Sequence, residues 1–365
     1  MARLLNVSAL SADHLTRPLV CHASPFQAAG LERVTKRRLL LACLLLSGVI
    51  YFLRGRKGAV LNTPALTPLP ESEEGALSSE DERDEDSPVL LNMTSWSAPV
   101  VWGDSAVSEW RRREFSNTAF RVGLAVFVVG RYSQYLPHFI ASAEHYFMRG
   151  DAVIYYILTD NLRNVPTLQL GSGRRMRALQ VTEMPQWDRL SRVRMSLLAS
   201  AIKEQIQREV EYVFCMDVDQ EFVNPVGTEI LGELVATLHP EYYGMPLYTY
   251  PYEKAEVSLA FVEEGEGDFY YTSELYGGLC SEVYALTRAC SQFILQDSEA
   301  SFHALQYEES YLNRYLINRR PTCVLSPEYS WWDSPRSPEV PVQRIVSLGR
   351  ECASLEPQKR AARRC

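Results

Sequence analysis

The sequence has only six histidines, and none of its eight cysteines form a C-x-x-C pair. The cysteines are scattered, so neither a zinc site nor a redox motif is visible. The chain also lacks a basic stripe with interleaved aromatic residues, and its net charge is −8. These absences argue against a general nucleic-acid binder. The lack of a histidine-rich ligand set argues against a metal phosphohydrolase.

The chain has the length for a sizeable core. Its 365 residues fit one large domain or two ordinary ones. The 20 tyrosines, 6 tryptophans and 13 phenylalanines suit a cleft that binds a sugar or a nucleoside, although large cores use aromatic residues as well. Composition alone therefore leaves both interpretations open.

Long hydrophobic runs are also scarce near the N-terminus. Leu39–Leu53 has fifteen uncharged residues, fewer than the ~20 of a spanning helix. A signal-peptide core or a buried helix would fit this length, but the run starts far from residue 1 and no convincing small-x-small cleavage site follows. Basic residues slightly favour its N-terminal side, and a short span suits the thin membranes of the early secretory pathway. We predict a cytoplasmic tail (1–38), a signal anchor (39–53) and a lumenal remainder.

The next segment, 54–115, is predicted to be a stem. Thr63–Pro88 contains four prolines and an acidic run without hydrophobic periodicity, a composition that cannot bury enough surface to fold. A solvated spacer is the simpler interpretation, and an acidic interaction tail is the alternative. Asn92-Met93-Thr94 is a glycosylation sequon, usable only in the lumen.

Two carboxylates follow a continuous apolar run. Tyr212–Met216 reads as a strand buried on both faces, and Asp217 and Asp219 come directly after it. In an extended segment residues i and i+2 project to the same side. Two hard oxygen ligands suit a divalent cation that holds a diphosphate. A turn in which one aspartate caps the next helix explains the same residues.

Strand-like and helix-like segments alternate around this acidic pair. The predicted strands are Val122–Val129, Ala152–Leu158, Met176–Val181 and Tyr212–Met216, and the predicted helices are Tyr135–Met148 and Leu190–Glu209. This alternation predicts an α/β fold with a parallel sheet and helices on both faces. Because ligands of such sheets bind beyond the carboxyl ends of the strands, the pattern favours the metal–phosphate interpretation.

The C-terminal half is more irregular. Glu229–Leu238 is predicted as a short helix, and Pro321–Tyr329 as a final strand or edge. Between them, tyrosines mixed with glycine and proline, including Gly277-Gly278, suggest a second lobe at a substrate cleft. Glu308 and Glu309 precede a helix-like segment, where adjacent carboxylates are usually solvated.

Several ordered motifs together resemble one family, glycosyltransferase family 6, which includes the histo-blood-group ABO and Forssman transferases. The resemblance covers about residues 88 to 335, and the segments EGDFYY and EES lean toward the Forssman-like branch. It is carried by F127…GRY at 130–132, HYFMRG at 145–150, DVDQ at 217–220, LHP at 238–240, GEGDFYY, GG at 277–278, EESYLN and LSPEY at 325–329.

The resemblance implies a single-pass type II Golgi membrane enzyme with a GT-A fold: a Rossmann-like, mostly parallel sheet with an acceptor-binding lobe. It places the catalytic domain at 116–345 and a C-terminal tail at 346–365. The implied enzyme uses Mn²⁺ to move galactose or N-acetylgalactosamine from the UDP-sugar, with retention, to the 3-hydroxyl of a terminal galactose-type residue of a glycolipid or glycoprotein glycan.

The resemblance also implies residue roles. On the donor side, Asp217 and Asp219, with Val218 between them, match the motif that binds the metal and UDP. Arg194 matches an arginine near the donor. The residues that match the uracil pocket are Phe127, Val128, Val129 and Tyr132.

On the acceptor side, His239 matches a histidine that contacts the acceptor. Glu309 matches the glutamate that acts as nucleophile or stabilises positive charge at the anomeric carbon, and it also borders the acceptor. Two further positions that match acceptor sites are Pro251 and Trp332.

Several positions depart from the family pattern. Gln306 and Tyr307 replace a Trp followed by His or Arg. The sugar-selecting positions read Thr272-Ser273-Glu274, and a glutamate there would crowd or hydrogen-bond the C2 substituent of the donor. Pro251 replaces a threonine, and Trp332 replaces an acid. The donor sugar and acceptor therefore stay open, and a UDP-binding relative with lost or altered turnover is the alternative.

Overall fold

A computed structural model describes residues 90–182 and 187–348. The predicted tail, the anchor at 39–53, most of the stem and residues 349–365 lie outside the described residues. Within the described part, no helix combines the length and the apolar character needed to cross a membrane.

A large, mostly parallel sheet forms the centre of the fold. The described residues form ten strands, which are β1 (Val100–Val101), β2 (Arg121–Val128), β3 (Ala152–Thr159), β4 (Arg175–Gln180), β5 (Tyr212–Met216), β6 (Gln220–Phe222), β7 (Leu234–Leu238), β8 (Tyr271–Leu279), β9 (Cys323–Leu325) and β10 (Ile345–Ser347). Eight of them form the large sheet in the order β1-β9-β7-β8-β5-β2-β3-β4, and β6 and β10 form a separate two-stranded sheet. In the large sheet β8 runs antiparallel to both of its neighbours, and the other neighbouring pairs are parallel.

Helices cover both faces of this sheet. They are α1 (Ala106–Phe115), α2 (Leu136–Tyr146), α3 (Trp187–Glu204), α4 (Cys280–Glu299) and α5 (Glu308–Asn318). One core cluster joins residues of α3, α4 and α5 to one face of the strands, and a second cluster joins α2 to the other. The prediction of an α/β fold with helices on both faces is confirmed, and β2, β3, β4 and β5 lie where predicted.

The predicted helix over Glu229–Leu238 is wrong. Thr228–Ile230 forms a single 3₁₀ turn, and β7 follows between β8 and β9. All five residues of β7 are buried. A short apolar run buried on both faces has no period that separates a strand from a helix, so its sheet neighbours decide its conformation.

Both predicted boundaries of the catalytic domain also shift. β1 pairs with β9, and Arg111 of α1 donates hydrogen bonds to the backbone carbonyls of Glu229 and Leu231. Residues 100–115, predicted as stem, therefore belong to the folded domain. At the other end, β10 pairs with β6, so residues 346 and 347 belong to the fold and not to a tail.

The strand predicted within Pro321–Tyr329 is present as β9, the last strand of the large sheet along the chain. The edge alternative is wrong, because β9 is flanked by β1 and β7. Gly277 and Gly278 lie within β8 and pair with β5 and β7. A Cβ at Gly277 would lie 2.3 Å from Cδ1 of Phe214 and 2.7 Å from the carbonyl oxygen of Val213. Close packing of the sheet requires glycine at this position.

We expect Gly277→Ala to lower the free energy of unfolding by about 1–3 kcal/mol, because the added methyl overpacks the sheet. Chemical denaturation checks this value. Gly171→Ala in an exposed loop is the control. Its Cβ would meet only side-chain atoms, at 3.2 Å from Glu144 and 3.5 Å from Arg174, and it should change stability by about 0.5 kcal/mol or less. Equal stability of the two variants would contradict the packing explanation.

Candidate active site

The acidic pair lies at the carboxyl edge of the sheet. Asp217 and Asp219 directly follow β5, and both are half-buried. The neighbouring strand β2 ends in Phe127 and Val128, with Val129 after it, and all three are buried. Tyr132 follows in a 3₁₀ turn, where burial raises the pKa of its phenol and the charge of Asp219 raises it further. The residues expected to bind the donor therefore lie at the ends of two adjacent strands.

Arg194 of α3 joins this edge to α5. Its Nη2 lies 2.5 Å from Oδ1 of Asp217, and its Nη1 lies 3.4 Å from Oε1 of Glu308. The guanidinium carbon is 5.6 Å from the centre of the Phe127 ring. Burial alone would lower the pKa of Arg194, but Asp217 and Glu308 outweigh it and hold the group charged.

Asp217 and Asp219 are two carboxyl groups beside one cation, the guanidinium of Arg194. Burial, then Asp217, then Glu274 raise the pKa of the Asp219 carboxyl to about 7. Within residues 90–182 and 187–348 no cluster of three or more His, Cys, Asp or Glu side chains could hold a metal. Two carboxylates nevertheless fit a divalent cation whose other oxygen ligands come from a diphosphate and water.

Glu308 and Glu309 are not solvated surface residues. Glu308 is 4% exposed and Glu309 is 9% exposed. Oε2 of Glu309 accepts hydrogen bonds from the backbone N–H and the hydroxyl of Ser273, at 2.7 and 3.1 Å. The preceding residue, Tyr307, is half-exposed and has a φ of 49°, a strained conformation of a kind found often at functional sites. The interpretation of an ordinary surface helix is therefore wrong.

The residues expected at the acceptor share an aromatic cluster. The buried ring of His239 lies 4.6 Å from Tyr242, 5.0 Å from Trp332 and 5.5 Å from Tyr270, measured between ring centres. Burial raises the pKa of the Tyr270 hydroxyl well above its usual value, and the negative charge of nearby Glu309 raises it further. Pro251 is half-buried. It follows Tyr250, whose ring centre lies 6.2 Å from those of Tyr242 and Tyr270.

The residues expected to select the sugar lie at the start of β8. Thr272 is fully buried, and its hydroxyl accepts a hydrogen bond from the N–H of Glu274 at 3.2 Å. The Glu274 carbonyl in turn accepts the N–H of Asp217 at 3.1 Å. The Glu274 carboxylate is 5% exposed and hydrogen-bonded to other protein groups. The acidic pair and Glu309 are thus connected to neighbouring residues of one strand.

Comparison with known proteins shows the family of the chain. The family model described as glycosyltransferase family 6 matches residues 71–355. The chain belongs to glycosyltransferase family 6.

Named relatives agree with this membership. Globoside alpha-1,3-N-acetylgalactosaminyltransferase 1 of Homo sapiens is 41% identical over 267 residues, which cover 73% of this chain and 77% of that protein. Histo-blood group ABO system transferase 1 of Rattus norvegicus is 38% identical, covering 66% and 72%. Alpha-1,3-galactosyltransferase 2 of Homo sapiens is 35% identical, covering 67% and 72%. The chain is therefore similar to hexosyltransferases over most of its length.

Some residues that build this family 6 site were not singled out from the sequence. Asn313 accepts the N–H of Tyr271 at 2.9 Å and donates to the carbonyls of Tyr271 and Glu309. It fixes α5 against β8, and its place in the EESYLN motif was the available signal. Ser330 and Ser347, which hydrogen-bond Glu274, gave no such signal.

The buried Glu308 predicts a pH dependence. Burial raises the pKa of its carboxyl to about 7, although Arg194 opposes the rise. Between pH 4.5 and 7 the folded chain keeps a proton that the unfolded chain releases, so this group makes stability fall as pH rises. Glu308→Gln removes that loss. We expect the melting temperature of Glu308→Gln, minus that of the wild type, to increase from pH 4.5 to 7.5. A difference between the two melting temperatures that stays constant across this pH range would contradict the raised pKa of Glu308.

Proposed function

We propose that this protein is a retaining α-1,3-glycosyltransferase that moves galactose or N-acetylgalactosamine from the UDP-sugar to a galactose-type terminus of a glycan. The observation that carries the proposal is the connection of Asp217 and Glu309 to adjacent residues of β8, with Arg194 joined to the same aspartate. Family membership supports the reaction type, and the mostly parallel sheet supports a GT-A arrangement.

Asp217 and Asp219 would hold Mn²⁺ together with the diphosphate of UDP. When bound, the ion supplies Lewis-acid stabilisation of the negative charge on the departing diphosphate. Phe127, Val128 and Val129 would form the floor of the uracil pocket, and Tyr132 would close it. Arg194 holds Asp217 in place, because its guanidinium is itself fixed by Glu308 on the other side.

Glu309 would face the anomeric carbon, either as nucleophile or as a negative charge that stabilises an oxocarbenium-like centre. Its position is set by Ser273 and Asn313, which hold its carboxylate and its backbone carbonyl respectively. This rigidity keeps the charge where it is needed without reorganisation at the moment of reaction.

The aromatic cluster around His239 would receive the acceptor sugar. Aromatic faces with a few polar groups are typical of pockets that bind small ligands. Trp332 is oriented by a hydrogen bond from its Nε1 to Glu241, at 3.2 Å, and Pro251 borders the same region. The proposed setting is the Golgi lumen behind a signal anchor at 39–53, with a glycan on the exposed Asn92.

A transfer assay with the full-length chain tests the proposal. The chain is incubated with Mn²⁺, with either UDP-galactose or UDP-N-acetylgalactosamine, and with a panel of globo-, lacto- and H-type acceptors. We expect glycan product and UDP release that depend on Mn²⁺ and fall at least ~10²-fold in Asp217→Asn and Asp219→Asn, since both remove a metal ligand.

Full activity in either aspartate variant would contradict the donor assignment. Tight UDP binding without product on any acceptor would instead favour a family member that has lost turnover. Binding of neither UDP nor UDP-sugar by the wild type would overturn both alternatives.

Glu309→Gln separates chemistry from binding. The amide keeps the shape of the side chain but removes its charge, so we expect transfer to fall by ~10²–10³. The Kd of UDP with Mn²⁺, measured by calorimetry, should change by less than about threefold, since UDP lacks the sugar that Glu309 faces. Glu309→Asp is the matched variant, because it keeps the charge and shortens the reach. An unchanged kcat in Glu309→Gln would exclude it as the catalytic residue.

A further inference from the structure

The Glu274 carboxylate is the centre of a buried hydrogen-bond network. Its Oε2 accepts bonds from the Ser347 hydroxyl at 2.7 Å, the Ser330 hydroxyl at 2.8 Å and Nε2 of Gln220 at 3.3 Å. Gln220 is fully buried, and Ser330 and Ser347 are buried as well. The three donors come from β6, from the residue after the 3₁₀ turn at 327–329, and from β10. One carboxylate therefore joins three separate segments of the chain.

These contacts surround the turn that carries the acidic pair. The Glu274 carbonyl accepts the N–H of Asp217, and its carboxylate binds Gln220, the residue after Asp219. Ser347 pairs with Gln220 across β6 and β10. The next residue, Leu348, donates its N–H to the carbonyl of Asp219 at 2.8 Å. The turn from 217 to 220 is thus held at both of its ends.

We propose that Glu274 is a positioning residue that clamps the Asp217–Asp219 turn to the C-terminal strand β10, and that it does not select the donor sugar through contact. This inference rests on the proposed function, since it concerns the same donor site. The sequence predicted that Glu274 contacts the C2 substituent of the donor, and the proposal replaces that contact with a positioning role. Groups that orient metal ligands typically change affinity 10–100-fold when they are removed.

UDP and UDP-sugars distinguish the two roles, because UDP has no sugar. In Glu274→Ala full-length chain with Mn²⁺, a positioning role should raise the Kd of UDP at least ~10-fold. It should also raise the KM of UDP-galactose and of UDP-N-acetylgalactosamine by similar factors, within about twofold of each other. A contact role would leave the Kd of UDP unchanged and shift the ratio of the two KM values. Either of those two results overturns the inference.

Ligand-free hydrogen exchange gives a second readout. The amides of Ser347 and Leu348 donate to Trp331 and Asp219, and they should lose protection in Glu274→Ala. Retained protection would contradict the clamp. Glu274→Gln should restore part of the UDP affinity and of the protection, since an amide oxygen still accepts bonds from the two serines.

Glu253→Ala is the control for loss of a buried carboxylate. Glu253 is 6% exposed and accepts the N–H groups of Ala255 and Leu305, both at 2.8 Å. Its partners lie outside the acidic turn, so this variant should lose stability without a matching loss of UDP affinity. If Glu253→Ala lost as much UDP affinity as Glu274→Ala, general destabilisation would explain the Glu274 effect, and the clamp would be overturned.

If Glu274→Ala does not fold, Ser330→Ala and Ser347→Ala each remove one donor to the same oxygen. Each should raise the Kd of UDP by about 3–10-fold, and wild-type affinity in both would overturn the clamp. A wild-type chain that does not bind UDP at all contradicts the proposed function itself. A wild-type chain that binds UDP as tightly as its Glu274 variants contradicts the clamp alone.

Discussion

The buried guanidinium of Arg194 holds the site together. It bridges Asp217 at the end of β5 and Glu308 at the start of α5, and it is 2% exposed. Burying an ion pair costs desolvation that only good geometry and additional partners offset. Here one cation faces two carboxylates, with Asp219 and Glu274 close by, so the neighbourhood remains acidic. In the proposed function, a divalent cation held by Asp217 and Asp219 would add positive charge to this acidic neighbourhood.

β8 connects the parts of the site because it is antiparallel to its neighbours β5 and β7. The carboxyl ends of β5 and β7 meet the start of β8, where Met216 pairs with Leu275 and Leu238 pairs with Tyr271. In a purely parallel sheet this edge would be built from strand ends alone. The reversed strand adds residues 270–274, which touch the aromatic cluster, Glu309 and the acidic turn in succession. The residues proposed to bind the donor, to act in catalysis and to bind the acceptor are thus linked through five consecutive residues.

The sequence was sufficient for strands that alternate with periodic helices and insufficient where long-range contacts decide. β2, β3 and β5 are continuous apolar runs, and their alternation with helical segments along the chain made their strand character predictable. β7 is equally apolar, but its neighbours β8 and β9 make it a strand and not the predicted helix. Glu308 looks like a solvated helix residue, and it is buried because Arg194, 114 positions away, pairs with it. β10 has only three residues, too few for any period to show.

A family role can be assigned to a residue of this chain only if that residue has a similar size and polarity. Glu274 does not meet this condition for the sugar-selecting role. A hydrogen bond to a charged group contributes about 1.5–3 kcal/mol. Turning the Glu274 carboxylate toward a C2 substituent would break bonds to Ser330, Ser347 and Gln220 in exchange for one new bond to the sugar. The loss exceeds the gain, so the carboxylate stays with its protein partners. Thr272 is fully buried as well. Under the proposal, only the half-buried Ser273 of these three positions is left to meet the donor sugar, and its hydroxyl also orients Glu309.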